Sequence, residues 1–152
     1  MDKKIIVNIL YGSSCVDKST IMEKANKNIN KVEMDDCKYW FFNEDKRSEI
    51  CINYLIEQII LNLHNPDYPT KLDMIVTCGG LPLPNNEIYS QLEKQYSIKF
   101  IHTLVLVKNI EKYKSYINSR NRTNIMDTLL EQYKWRESTQ DLYDEIIYNH
   151  SK

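Results

Sequence analysis

Apolar runs and segments of helical periodicity alternate along this chain. Residues 5–10, IIVNIL, form a nearly continuous apolar run with β-branched side chains, which is typical of a parallel strand buried on both faces. Three later strands are predicted at residues 32–34, 74–76 and 100–107. Residues 143–149 fit either the end of a helix or a short last strand, and we favour the strand.

Helices are predicted between these strands, at residues 19–28, 47–64, 86–96, 110–119 and 125–135. The second of them has apolar side chains at the spacing of one helix face: Ile52, Leu55, Ile56, Ile59 and Leu63. The last has a similar face, formed by Met126, Leu129, Leu130 and Tyr133. Asn124 is its predicted N-terminal cap.

This alternation predicts an α/β fold, because parallel strands need long right-handed crossover connections. We expect a three-layer sandwich with a mostly parallel sheet of four or five strands, of the P-loop NTPase or kinase type. Residues 1–152 contain no repeat, low-complexity tract or linker, which predicts a single domain. Ligands of such sheets bind at the carboxyl ends of the strands.

The composition excludes several classes of protein. A chain of 152 residues with 42% apolar residues can form a core without disulfide or metal cross-links. Its 20 basic and 21 acidic residues create no global positive field for nucleic acid or a membrane surface. The four cysteines lack the spacing of a zinc site, and the apolar run near the N-terminus is too short to span a bilayer. We therefore expect a cytoplasmic protein without a membrane partner.

A nucleotide-binding motif with one altered position follows the first predicted strand. Gly12, Lys18 and Ser19 match the pattern G-x-x-x-x-G-K-[ST], but Asp17 replaces its second glycine. In such a loop, backbone N–H groups surround the β-phosphate, the lysine contacts the β- and γ-phosphates, and the hydroxyl binds Mg²⁺. The predicted cofactors are therefore ATP or GTP and Mg²⁺, with Ser19 as the metal ligand. The predicted nucleotide-binding residues are Gly12, Ser13, Ser14, Cys15, Val16, Asp17, Lys18, Ser19 and Thr20.

Asp17 is expected to weaken nucleotide binding. Its side chain takes space that the phosphates need, and its carboxylate carries the same sign of charge as they do. We therefore predict that the chain binds ATP-Mg²⁺ weakly. The alternative is that residues 12–20 are only a polar connection between a strand and a helix, with Asp17 as the helix cap.

Two further segments suit phosphoryl transfer. Asp35 and Asp36 follow the second predicted strand, where Asp35 is our first choice of general base and Asp36 the second. Arg120 and Arg122 lie in a polar connection, where a lid could bring guanidinium groups to the transferred phosphoryl group. Each segment also has a simpler interpretation, as a solvated turn and as a connection with exposed arginines.

Together these motifs make the chain resemble the P-loop kinase superfamily, in particular phage-type polynucleotide 5′-hydroxyl kinases and zeta-toxin-like kinases. The resemblance rests on the loop of residues 12–19, on Asp35-Asp36-Cys37-Lys38, and on the paired arginines before an amphipathic helix. It implies that Asp35 activates the acceptor hydroxyl and that Asp36 and Lys38 bind the acceptor. It also implies that Lys18 and the two arginines stabilise the transferred charge.

The chain departs from the pattern of those kinases in two places. One is Asp17, and the other is the end of the third strand, where Thr77-Cys78-Gly79-Gly80 contains no acidic residue. Two functions therefore stay open. The first is an ATP-dependent phosphotransferase that uses a hydroxyl of a polynucleotide 5′-end, a nucleotide or a small molecule as acceptor. The second is a non-catalytic P-loop domain with a regulatory or interaction role.

Four aromatic residues follow the acidic pair: Tyr39, Trp40, Phe41 and Phe42. Aromatic side chains can stack on the base of a nucleic-acid or nucleoside acceptor. Core packing is the more common role of such a cluster, so the aromatic residues do not decide between acceptors.

Overall fold

A computed structural model describes residues 4–13, 16, 18–25, 28–33, 47–65, 72–77 and 80–149. Its five strands are β1 (Ile5–Tyr11), β2 (Asn30–Glu33), β3 (Met74–Thr77), β4 (Ile98–Val107) and β5 (Glu145–Asn149). Its five α-helices are α1 (Lys18–Glu23), α2 (Arg47–Leu63), α3 (Glu87–Gln95), α4 (Ile110–Ser119) and α5 (Met126–Ser138). Short 3₁₀ helices lie at Thr123–Ile125 and Gln140–Leu142.

The strands form one parallel sheet in the order β2-β3-β1-β4-β5. The connection from β1 to β2 runs in one direction along the sheet and all later connections run in the other. Right-handed crossovers therefore place α1 on one face and the later helices on the opposite face. The expected α/β sandwich is confirmed, with five parallel strands flanked by helices.

Side-chain contacts identify the face that the later helices cover. Ile9 pairs with Val76 and with His102, so these side chains point to the same side of the sheet. On this side the Tyr89 side chain of α3 stacks edge-on against His102, with ring centroids 4.6 Å apart. The Asn62 amide of α2 accepts a hydrogen bond from Asn30 of β2 at 3.1 Å. Since Asn30 also lies on this side in the register with β3, α2 and α3 cover the same face.

Several helices and strands begin or end at residues other than those predicted from the sequence. The helix predicted at residues 19–28 ends at Glu23, where the Lys31 ammonium donates to the Glu23 carbonyl at 3.2 Å. The chain must leave the helix this early because β2 begins at Asn30, two residues before the predicted strand, where the Asn30 N–H donates to the Asp73 carbonyl. The strand favoured at residues 143–149 is confirmed as β5.

The prediction that Asn124 caps α5 is wrong, because Asn124 lies inside the 3₁₀ helix that precedes α5. The turn is set earlier, at Asn121, which has a left-handed φ of 57°. The Asn121 N–H donates to the Asn118 carbonyl and the Arg122 N–H to the Ile117 carbonyl, both at 3.1 Å, which is the Schellman ending of a helix. These bonds satisfy carbonyls at the end of α4. At the start of α5, which has no side-chain cap, the Ile125 N–H donates to the Arg122 carbonyl and the Met126 N–H to the Thr123 carbonyl.

Candidate phosphate-binding site

The loop after β1 packs tightly against β4, and Gly12 permits this approach. A Cβ atom at Gly12 would lie 2.8 Å from the Val16 side chain and 2.9 Å from the Val105 carbonyl oxygen. Real Cβ atoms essentially never come this close to other heavy atoms. The first glycine of the motif is therefore required by the packing of this chain, whether or not nucleotide is bound.

Lys18 is the first residue of α1, and its ammonium returns over the loop. Its Nζ atom donates to the Gly12 carbonyl at 2.6 Å and to the Ser13 carbonyl at 3.2 Å. Two backbone carbonyl groups therefore hold the positive charge at the start of the loop. A cation fixed in this way suits a phosphate ligand.

Two hydroxyls of the loop complete this part of the site. The Ser13 hydroxyl is buried, and no described residue forms a hydrogen bond with it. Ser19, the predicted metal ligand, is exposed at the start of α1. The described part of the loop thus fits a polyphosphate with Mg²⁺, because Mg²⁺ commonly takes one or two protein ligands and completes its shell with phosphate oxygens and water. Among the described residues there is no cluster of three His, Cys, Asp or Glu side chains that could bind a metal without phosphate.

Six of the predicted site residues lie outside the described residues: Ser14, Cys15, Asp17, Asp35, Asp36 and Lys38. Val16 and Thr20 are described, the first fully buried and the second half-buried. Thr77, at the end of β3, is buried at the same edge of the sheet as the loop. The roles of the acidic pair and of Lys38 stay predictions.

Arg120 and Arg122 are exposed in the connection between α4 and α5. Tyr133 of α5 bonds both backbone groups of Val107, donating to its oxygen at 2.7 Å and accepting from its nitrogen at 3.2 Å. From this point at the carboxyl end of β4, α5 descends along the sheet, since Arg136 lies over Tyr11. The two arginines precede α5 in the chain, and their approach to the phosphate loop stays a prediction.

Arg136 is a candidate binding residue that the sequence pattern did not reveal. It is only 7% exposed, and its guanidinium lies 5.7 Å from the centre of the Tyr11 ring and 4.8 Å from that of Trp135. Its Nη1 atom donates to the Tyr143 hydroxyl at 3.3 Å, and it forms no ion pair with any described residue. A buried arginine is normally paired with an anion, so a guanidinium that contacts only aromatic rings and one hydroxyl among the described residues is unusual.

Comparison with solved structures defines the fold. Shikimate kinase from Acinetobacter baumannii, in complex with shikimate, aligns over 99% of this chain and 87% of its own, with a TM-score of 0.57 and 15% identity. A protein from Eubacterium ventriosum aligns over 97% of this chain and 89% of its own, with a TM-score of 0.52 and 14% identity. The chain therefore shares the fold of shikimate kinase, a five-stranded parallel sheet flanked by helices. No family model and no curated protein match the chain.

The comparisons do not support the more specific resemblance to polynucleotide kinases and zeta-toxin-like kinases. The PezAT toxin–antitoxin structure of Streptococcus pneumoniae aligns over 95% of this chain and 68% of its own, with a TM-score of 0.41 and 16% identity. This similarity is too low to carry an argument, and the likeness to polynucleotide kinases and zeta-toxin-like kinases is not confirmed. No helix among the described residues is long and apolar enough to cross a membrane.

A chain of buried hydrogen bonds connects α3 to strands β1 and β4. The Tyr89 hydroxyl donates to the Pro82 carbonyl at 2.7 Å, and the Tyr11 hydroxyl donates to the Tyr89 oxygen at 2.9 Å. Because Tyr11 has only one hydroxyl proton, the 2.7 Å contact with His102 requires that His102 Nδ1 carries a proton and donates it to Tyr11. Burial lowers the pKa of His102, while Asp144 and Glu93 raise it to a smaller extent.

We expect His102 to make the fold less stable as the pH falls. Its pKa in the folded chain lies below the ordinary value of 6.5, so the unfolded chain binds more protons at slightly acidic pH. This contribution to stability is complete above about pH 7.5 and is lost as the pH falls through 6.5 towards the lower, folded-state value. Urea unfolding across this range should show a slope of at most about 1.4 kcal/mol per pH unit from this one proton.

The control is His102→Asn, which retains a side-chain N–H donor but does not titrate. Its unfolding free energy should change less with pH between 7.5 and 6 than that of the unsubstituted chain, whereas the carboxylates titrate mainly below this window. Equal slopes for the two proteins would show that His102 does not change its proton affinity on folding.

Proposed function

We propose that this protein is an ATP-dependent phosphotransferase whose acceptor is a hydroxyl group on an anionic molecule. The observation that carries the nucleotide half is the Lys18 ammonium, which the Gly12 and Ser13 carbonyls hold above the loop. The kinase-like fold agrees with this half of the proposal. The observation that favours an anionic acceptor is the buried guanidinium of Arg136, which forms no ion pair with a described residue and lies against the ring of Tyr11.

The proposed roles follow the chain. Residues 12–20 bind the nucleotide phosphates, with Lys18 on the β- and γ-phosphates and Ser19 as the protein ligand of Mg²⁺. When bound, Mg²⁺ neutralises part of the phosphate charge. Asp35 accepts the proton of the acceptor hydroxyl, which raises the electron density of the attacking oxygen. Asp36 and Lys38 contact the acceptor.

The arginines divide between the two substrates. Arg120 and Arg122 are exposed in the connection between α4 and α5 and approach the transferred phosphoryl group from the lid. Arg136 is buried and supported by Tyr11, Trp135 and Tyr143, so it is suited to a fixed group on the acceptor. A phosphate or carboxylate on the acceptor matches the planar fork of its guanidinium.

The test measures transfer of the γ-phosphoryl group of ATP to paired acceptors that differ in one anionic group. Suitable pairs are a nucleoside 3′-monophosphate with its nucleoside, and a hydroxy acid with its amide. The Asp17→Gly chain is the parent, and Lys18→Met and Arg136→Met are made in it. Lys18→Met should lose ATP binding with every acceptor, because the phosphate charge loses its partner.

Arg136→Met should keep ATP binding and lose roughly 10- to 100-fold in transfer to the anionic acceptor of a pair. Methionine retains an apolar stem for Tyr11 and Trp135, so the folded state should survive. Equal transfer to charged and neutral acceptors would contradict the proposed acceptor class. Failure of the parent to bind ATP would contradict the phosphotransferase itself.

A second function is favoured by a different observation. Asp17 opposes phosphate binding, and the end of β3 lacks the acidic residue that the resembling kinases carry. A P-loop domain that has lost turnover but kept its fold would act as a regulatory or interaction module. The Asp17→Gly experiment in the Discussion distinguishes the two.

A further inference from the structure

Asn149 joins the last strand of the sheet to the phosphate loop. It is the final residue of β5, it is 6% exposed, and its Nδ2 atom donates to the Val16 carbonyl at 2.9 Å. The two residues are 133 positions apart in the sequence. This buried bond constrains the loop from β5, which lies outside the unit of β1, loop and α1.

The register of the sheet explains how Asn149 reaches the loop. β1 ends at Tyr11, which pairs with Leu104, whereas Asn149 pairs with Val107 three residues further along β4. Asn149 therefore stands about 10 Å beyond the last pair of β1, at the height of the loop that follows β1. Its side chain crosses from the edge strand to the loop on the face of the sheet that carries α1, because Asn149, Val107 and Val105 alternate with the residues of the other face.

Val16 is the part of the loop that this contact fixes. Its side chain is fully buried and packs against Gly12, so the residue is held at its side chain by the start of the loop and at its carbonyl by Asn149. The Val16 carbonyl therefore cannot turn without breaking its bond to Asn149 or moving the packed Val16 side chain. Backbone N–H groups of this stretch are the phosphate donors in loops of this type.

We propose that Asn149 is a positioning residue for the phosphate loop, which fixes the loop at the Val16 carbonyl and so tunes the affinity for polyphosphate. The proposal rests on the proposed nucleotide-binding function. It requires only the phosphate part of the ligand, so inorganic tripolyphosphate with Mg²⁺ is a sufficient probe. No acceptor needs to be known.

The test compares Asn149→Leu and Asn149→Asp, each made in the unsubstituted chain and in Asp17→Gly. Leucine has a similar volume without a donor, and a carboxylate has a similar shape but cannot donate until it is protonated. At about pH 7.5 Asn149→Leu should weaken tripolyphosphate–Mg²⁺ and ATP-Mg²⁺ binding roughly 5- to 10-fold for one lost hydrogen bond. Asn149→Asp should weaken binding more than this, because its carboxylate also repels the phosphates. Near-ultraviolet circular dichroism confirms that each variant is folded at the temperature of the titration.

The pH dependence distinguishes positioning from a merely structural contact. The buried carboxyl introduced by Asn149→Asp has a raised pKa, and its protonated form regains an O–H donor for the Val16 carbonyl. Its affinity, taken relative to that of its parent at the same pH, should therefore rise between about pH 7.5 and about pH 5.5 and exceed that of Asn149→Leu, whereas loss of the charge alone would only bring the two variants level. Asn149→Leu should show no recovery, because it introduces no titrating group.

Three results would overturn the proposal. A folded Asn149→Leu chain with the affinity of its parent would show that the contact does not set the loop, even if the unfolding midpoint falls. An Asp variant that binds no more tightly than the Leu variant at about pH 5.5 would show that the donor at this position is not what matters. Failure of both the unsubstituted chain and Asp17→Gly to bind tripolyphosphate or ATP would overturn the nucleotide-binding function together with this inference.

Discussion

Replacing Asp17 by glycine should tighten ATP-Mg²⁺ binding by up to about three decades. Two like unit charges about 4 Å apart in an effective dielectric of about 20 repel each other by roughly 4 kcal/mol before the surroundings relax. This energy corresponds to almost three decades in the dissociation constant. Glycine also removes the side chain at a position where loops of this type approach phosphate closely.

Calorimetric titration of ATP-Mg²⁺ into both proteins at the same salt concentration measures this effect. Asp17→Asn is the matched control, since it keeps the shape of the side chain and removes its charge. If charge dominates, Asn should recover most of the gain, whereas a steric effect would leave Asn as weak as Asp. A micromolar dissociation constant for the unsubstituted chain would contradict the expected weakness.

The same variant decides between the two functions. A kinase with a defect only in its loop should gain both ATP binding and transfer to an acceptor when glycine is restored. A domain that has lost turnover more widely should gain binding without transfer, or neither. Equal, tight binding by both proteins would show that Asp17 is tolerated and would direct attention to the acceptor.

Substitution of Gly12 by alanine should destabilise the fold and remove polyphosphate binding. The added Cβ would lie 2.8 Å from the Val16 side chain and 2.9 Å from the Val105 carbonyl oxygen. The first contact is with a fully buried, β-branched side chain and the second with the backbone of a central strand, so neither neighbour can yield without cost. We expect a loss of about 1–3 kcal/mol in the unfolding free energy, the usual range for an overpacked site.

Urea unfolding and tripolyphosphate titration of Gly12→Ala, in the Asp17→Gly chain, measure the two effects. Ser13→Ala is the control, because the neighbouring residue already has a Cβ and loses only a hydroxyl that no described residue bonds. That control should keep or raise the stability, since an unpaired buried hydroxyl is unfavourable. Unchanged stability and affinity in Gly12→Ala would show that the loop can move away from β4 freely.

Local sequence patterns were sufficient to predict most helices and strands and the position of the phosphate loop. β1, β3 and β4 are largely apolar runs, and α2 has the apolar spacing of one buried face, so local burial and backbone preferences agree with the final structure. β2 is the exception, with Val32 as its one apolar residue. The position of the loop followed from Gly12, Lys18 and Ser19 after the first strand. The ends of elements were less predictable. α1 ends early because β2 must already pair at Asn30, which is a property of the sheet.

The sequence by itself therefore determined the order of strands and helices, the α/β class and the place of the phosphate loop, since these depend on neighbours along the chain. Only the tertiary structure decided the strand order, the burial of Arg136 beside Tyr11, and the bond from Asn149 to Val16. These depend on contacts between residues as far as 133 positions apart. No period or spacing in the sequence encodes such a contact, because it exists only when the whole sheet has formed and its register has placed the two groups at the same height.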